Sequence, residues 1–331
     1  MIEQDFNNAR YRPGQTEGHY ESYFQRANHP TRPLAFWIRY TLFSPAGQPP
    51  DAIGEIWGVF FNGESGRHCV VKQEFPINCC EFQRDRLGAR VGDCELGPGL
   101  LCGQAQSALH NLSWDLSYRG GLPPVFLLPQ DQYSSGFPRA KSLVGVPMAE
   151  YTGTLQVDGE EIHVDGWIGS QNHNWGSRHT DSYAWGQVCG FDNAPGSFLE
   201  VASARLKFGP VWTPVITPMV LRHNGGDHVL NSISQSIFRA RGRFDYFNWQ
   251  FRSSSQGLEI EGEIAADKNA FAGLRYYNPP GGVKYCLNTK IASCRLRLRR
   301  PGKPEELLET RHRAAFELLT DDLDHGVEIR T

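Results

Sequence analysis

Asn111-Leu112-Ser113-Trp114-Asp115-Leu116-Ser117-Tyr118 places a large apolar side chain at every second position and a small polar one between each pair. Successive side chains of a strand point to opposite faces, so this run has one buried and one wet face, the mark of an antiparallel sheet. Upstream, Phe36, Ile38, Tyr40 and Leu42 alternate with Trp37, Arg39, Thr41 and Phe43, and similar runs fall at about 54–62, 67–75, 88–93 and 99–106. Downstream, 151–157 and 160–167 flank Asp158-Gly159, a dipeptide that tolerates the positive φ of a tight hairpin turn.

Further strands are predicted at 182–191, 197–208, 215–222, 229–238, 244–253, 257–265, 271–277, 284–298 (as two) and 305–317, with helix confined to short pieces near 267–273 or 313–320. Residues 1 to about 33 read as an irregular lead-in. The Gly/Pro-rich stretch 119–148 reads as a long connection able to cover the mouth of a barrel. Many short strands with turn residues between them give an all-β chain of barrels or sandwiches rather than βαβ units. A length of 331 residues calls for two cores, expected at 1–170 and 171–331.

With 33 basic and 36 acidic residues the chain has no single-sign field, which argues against nucleic acid as a partner. Arg295, Arg297, Arg299 and Arg300 interleave with Leu296 and Leu298, as on the outer face of a half-buried strand. The first residues carry no secretory signal pattern and no run suits a membrane helix, so a soluble cytoplasmic protein is expected, with peripheral membrane contact left open. Eight cysteines without a CxxC pair suit reduced, structural thiols. The oligomeric state is not set by any of this.

The chemistry-bearing residues gather in Gln171-Asn172-His173-Asn174-Trp175-Gly176, which reads as a turn at the junction of the halves. Tyr183, Trp185 and Gln187 share one face of the next strand, and Phe198 and Glu200 share a face of the one after. Aromatic faces stabilise a carbocation, and a carboxylic acid or imidazolium in an apolar pocket can protonate an alkene. The competing reading is a plug between barrels, with Trp175 buried and His173 bonded to backbone. Metal binding by His173 and His179 is disfavoured by their spacing, so no metal is expected.

The order Gly153-Thr154, Asp158-Gly159, Gly169, His173-Asn174-Trp175-Gly176 and Tyr183-Ala184-Trp185-Gly186 resembles the carotenoid 1,2-hydratase (hydroxyneurosporene synthase) and AttH-like family. That family is related in architecture to tocopherol cyclases and fungal lipocalin-like Diels–Alderases. The resemblance implies two consecutive lipocalin-like barrels over nearly the whole chain. It also implies a cofactor-independent hydratase or cyclase that protonates a C=C bond of a large isoprenoid or terpenoid-like substrate. By position, His173, Trp175 and Glu200 would be catalytic, and the motif and strand faces described above make Asn174, Tyr183, Trp185, Gln187 and Phe198 the expected ligand-binding residues. Asn172 and Phe198 depart from the family's Asp and Tyr at those positions. A pericyclic cyclase and a non-catalytic carrier of a hydrophobic ligand are the alternatives.

Overall fold

The computed structural model describes residues 5–255 and 257–331. Its strands fall into two large antiparallel sheets, each curled into a nearly closed barrel. The first sheet holds β1 (His19–Asn28), β2 (Leu34–Ser44), β3 (Ile53–Asn62), β4 (Cys69–Pro76), β5 (Cys80–Phe82), β6 (Ala89–Val91), β7 (Cys94–Gly97), β8 (Leu100–Gln106), β9 (Asn111–Arg119), β10 (Val125–Phe126), β11 (Ala140–Val157) and β12 (Glu160–Gly176). Their order is β4-β3-β2-β1-β12-β11-β9-β8-β7-β6-β5, with β10 on β11.

The second half holds β13 (Ser182–Cys189), β14 (Phe198–Arg205), β15 (Lys207–Phe208), β16 (Val211–Trp212), β17 (Met219–His223), β18 (Gly226–Leu230), β19 (Ala240–Phe244), β20 (Asn248–Ser255), β21 (Leu258–Ala265), β22 (Ala272–Tyr277), β23 (Val283–Arg299) and β24 (Glu306–Thr320). The sheet order is β18-β17-β14-β13-β24-β23-β21-β20-β19, with β22 on β23 and β15–β16 a separate ribbon. All-β barrels are therefore what the alternating runs produce, and the β11–β12 hairpin turns at Asp158-Gly159 with φ of 53° and 88°. No helix among the described residues is long and apolar enough to cross a membrane.

Several local expectations are corrected. The lead-in contains β1, every residue of which is buried. Residues 229–238 split into the end of β18 and a short helix, Ile233–Phe238, capped by Ser232, whose hydroxyl takes the Gln235 N–H. Residues 284–298 form a single strand, because the irregularity suggesting two is a pair of register shifts between Thr289 and Cys294. The piece near 313–320 is strand, and near 267–273 helix is limited to one 3₁₀ turn.

Gln171–Gly176 is also strand rather than turn. It forms the end of β12, paired with β1 on one side and β11 on the other, so the first sheet runs to Gly176. Gly169 is required by this pairing: a Cβ there would fall 1.7 Å from the Arg26 carbonyl oxygen.

Each barrel has its own apolar interior, and a third core lies between them. The outward faces of β1–β3 bring Phe24, Trp37, Trp57 and Phe61 against Trp185, Leu274, Tyr276 and Leu319 of the second barrel. This explains why β2 is apolar on both faces: one fills a barrel and the other meets the neighbouring barrel.

Candidate functional site between the barrels

Alternation on β12 decides what each residue of the predicted motif can reach. His173 lies opposite Tyr23 of β1 and points into the first barrel, where its ring stacks on Tyr23 at 4.3 Å. Its Nδ1 faces the Phe6 carbonyl oxygen at 2.9 Å and its Nε2 faces Glu21 Oε1 at 2.8 Å. Both nitrogens meet acceptors, so the ring is fixed between the Phe6 carbonyl and Glu21. Glu21 also accepts the backbone N–H groups of Arg10 and Tyr11 and faces His19 Nε2 at 3.1 Å. Burial would raise this carboxyl, but the hydrogen bonds and charges of His173 and His19 outweigh it and bring it down to about 2. Trp175 lies on the same side, packed with Tyr133, Leu143 and Phe6 beneath the 119–148 connection.

Asn172 and Asn174 look the other way, into the seam between the barrels. Asn172 joins a buried polar network in which Gln187 is central. Gln187 donates to Asn172 Oδ1 and Glu200 Oε2, both at 2.9 Å, and accepts from Arg26 Nε at 2.8 Å and Ser170 Oγ at 2.7 Å. Glu200 takes its second hydrogen bond from the Trp185 indole at 2.8 Å. Burial dominates these bonds and raises the Glu200 carboxyl to about 7, so it is part protonated near neutrality. Phe198 packs instead with Val125, Val144, Cys189 and Val220.

Beside this network lies a cavity of about 240 Å³ between the barrels. Trp37 and Trp185, with Tyr20, Tyr183, Tyr276 and Phe24, supply its aromatic walls, and Leu127–Pro129 and Phe137–Pro138 cover it, in a connection that ends at Arg139 rather than 148 because β11 already begins at Ala140. Tyr133 and Lys141 fasten that connection: Tyr133 Oη donates to the Ser142 carbonyl at 2.6 Å, and Lys141 Nζ donates to the Ser135 and Pro138 carbonyls at 2.8 and 2.7 Å. Phe137 and Ile233 line the cavity and are also exposed, which marks its opening.

Asn174, Tyr183 and Trp185 therefore line this cavity. His173, Trp175, Gln187, Phe198 and Glu200 do not, although Glu200 stands directly behind Trp185.

Three ionisable lining residues, Glu317, His179 and Arg39, were not assigned to the site from sequence. Glu317 lies opposite Trp185 in the sheet and is held by Lys290 at 2.7 Å, whose ammonium sits 5.5 Å from the Trp185 ring centroid and 5.6 Å from that of Trp37. His179 stacks on Tyr20 at 4.0 Å; burial and the Arg39 charge push its ring down to about 3, so it is neutral. Arg39 lies 4.5 Å over the Tyr276 ring centroid and, among the described residues, donates no hydrogen bond. Its position on the apolar outward face of β2, between Trp37 and Thr41, was the available signal.

Five cavity-lining residues carry a buried polar atom with no hydrogen-bond partner among the described residues: Trp37 Nε1, Arg39 Nε, Asn174 Oδ1, Ser236 Oγ and Tyr276 Oη. Such orphans are rare in folded proteins and clustered ones point to an absent partner. Cys69, His110 and Asp158 also approach one another, outside this cavity. They brace the hairpin: Asp158 holds His110 Nδ1 and Asn111 N at 2.9 and 2.8 Å, and burial pushes the Cys69 thiol up to about 12.

Two lipocalin-like barrels packed over an aromatic cavity with buried ionisable groups is the class of protein this geometry defines. No family model matches the chain and no curated protein matches it in sequence. Solved structures share the fold, among them the following two. A protein assigned as AttH from Nitrosomonas europaea superposes with a TM-score of 0.59 at 14% identity, over 96% of this chain and 95% of its own. Kievitone hydratase from Nectria haematococca gives 0.58 at 11% identity, over 95% and 92%. The AttH-like architecture implied by the motif is thus the one observed.

Proposed function

We propose that the chain is a cofactor-independent hydratase or cyclase, acting on a large apolar, isoprenoid-like substrate in the inter-barrel cavity by proton-initiated addition to a C=C bond. The observation that carries this reading is Glu200, a buried carboxyl raised to about 7 and bonded to an indole of the cavity wall. Displacement of Trp185 gives the protonated acid access to the alkene. The proton forms a C–H bond, the cation is held by the faces of Trp37, Trp185 and Tyr183, and water adds and returns a proton to the carboxylate. An internal nucleophile in place of water closes a ring. His173 and Trp175 act by position, fixing β12 and the covering connection. The hydratase name of one structural neighbour supports the reaction class.

The test is incubation with prenylated aromatic and acyclic terpenoid compounds in deuterated water, followed by mass spectrometry. One deuteron fixed on carbon is expected, with a rate that falls as pH rises through about 7. Glu200→Gln is expected to bind and not turn over; full turnover by that variant removes Glu200 as the acid. The orphaned Arg39 favours a second reading, a pericyclic cyclase in which the cavity folds the substrate and hydrogen bonds polarise it, and there Glu200→Gln retains activity. Recovery of an unmodified stoichiometric lipid, with no conversion of any substrate, would mark a carrier.

A further inference from the structure

Among the described residues, the cations buried around the cavity are held by a carboxylate or by hydrogen-bond acceptors, Lys141 by the Ser135 and Pro138 carbonyls, and Arg39 stands apart from them. Lys72 holds Glu55 at 2.8 Å, and Lys290 holds Glu317 at 2.7 Å. Arg26 is satisfied by Gln187, Asn28 and Cys189, next to Glu200. Arg39, with only 6% of its surface exposed, is left against the Tyr276 ring with no acceptor among the described residues. Burying an ionised group is costly unless it is paired, and the ring faces of Tyr276 and Trp37, 4.5 and 5.9 Å from the guanidinium, offset only part of that cost. Glu55 and Glu317 favour its charge through space but accept no hydrogen bond from it, since each is held by its own lysine.

The imbalance bears on the proposed chemistry as well. A carbocation would form in a cavity whose walls already hold a guanidinium with no bonded acceptor among the described residues. An anionic oxygen on the bound molecule neutralises that charge first. Tyr20 and Tyr183, which line the same cavity, offer hydroxyl donors beside the guanidinium.

We propose that Arg39 is the anchor for an acidic oxygen of the ligand, so that the substrate class is an apolar chain or ring system bearing a carboxylate, phenolate or enolate. This rests on the inter-barrel cavity being the binding site. The guanidinium takes the acidic oxygen by charge-assisted hydrogen bonds, and the apolar remainder runs between Trp37, Trp185 and the covering connection.

The experiment compares geranic acid with its methyl ester by calorimetric titration of the full chain. Both carry the same apolar body, and only the acid offers an anion. The acid is expected to bind at least about tenfold more tightly. That preference is expected to disappear in Arg39→Gln while ester affinity stays, and to survive in part in Arg39→Lys. Should the variants fail to fold, the wild type decides alone: the preference must vanish as pH falls through the ligand's own carboxylate range, where arginine stays charged. Equal binding of acid and ester, or a preference that outlives Arg39→Gln, overturns the anchor and leaves the cavity reading standing. Binding of neither overturns both.

Discussion

The Glu200 carboxyl accepts the Trp185 indole N–H at 2.8 Å, so the ring that forms the cavity wall also screens the acid behind it. The two residues are coupled through that bond. Removing it, as in Trp185→Phe, withdraws a donor that favours the ionised form. Hydrogen bonds to charged groups contribute about 1.5–3 kcal/mol, equivalent to about one to two pKa units. Glu200 in Trp185→Phe should therefore titrate at least about one unit higher than in the parent, read from its carboxyl band in difference infrared spectra. An unmoved titration would show that the indole does not tune the acid.

Glu200 also gives stability a pH signature. Its carboxyl is raised from 4.5 to about 7 on folding, so the folded chain binds more protons than the unfolded chain between those values. Stability from this group is full below 4.5 and is lost as pH rises through about 7. Denaturant midpoints of the parent should decline across that window relative to Glu200→Gln. Parallel curves for the two proteins would mean that the carboxyl ionises normally.

Glu21 has the opposite sign. Its carboxyl is lowered from 4.5 to about 2, so its contribution is present above 4.5 and is lost as pH falls toward 2. His173→Ala strips one of its partners and leaves a charge buried in the first barrel. Breaking a buried pair this way costs about 3–5 kcal/mol, so a lowered Tm and easier proteolytic removal of the residues before β1 are expected. A variant as stable as the parent would show that His173 is not part of the structural anchor, and would return it to consideration as a catalytic group.

The barrels were legible in the sequence because alternation is local. Leu112, Trp114, Leu116 and Tyr118 are buried as expected, on a strand whose other face is wet. The strands misread were those with two buried faces. In β1, Glu21, Gln25 and Arg26 look like surface residues, yet their partners His173, Tyr151 and Gln187 lie far along the chain and no local pattern announces them. The same physics divided the motif. Once Gln171–Gly176 is strand, period two sends His173 and Trp175 to one side of β12 and Asn174 to the other, into the cavity, so six adjacent residues cannot form one site. Glu317 and Arg39 reach the cavity from distant strands, and only the packing of one barrel on the other brings them there.

Gly169 makes that packing possible at β12. Any side chain there collides with the Arg26 carbonyl, on the residue that also supplies the guanidinium to Gln187. Gly169→Ala must push β1 and β12 apart and disturb the polar network between the barrels. A loss of at least about 3 kcal/mol is expected, at the upper end of single substitutions. Chemical denaturation measures it, and a loss under about 1 kcal/mol would mean that the strands part without effect.

Arg39 offers the sharpest separation of stability from binding. If its charge awaits a ligand, the ligand-free protein carries the desolvation cost of the guanidinium against only the Tyr276 and Trp37 rings and the distant carboxylates of Glu55 and Glu317. Methionine has similar reach, no charge and a thioether that packs well on aromatic rings. Arg39→Met should therefore stabilise the ligand-free protein, by about 1–2 kcal/mol, since replacing buried charge by well-packed apolar groups is commonly neutral or favourable. For a chain of this size that is a rise in Tm of a few degrees, seen by calorimetry. Addition of an acidic apolar ligand should then raise the Tm of the parent and leave that of Arg39→Met where it was, because only binding to the folded state shifts the transition. A ligand-free Arg39→Met that melts below the parent would mean that the arginine is held by the fold itself, through its stack on Tyr276, and that no anion is needed to complete it.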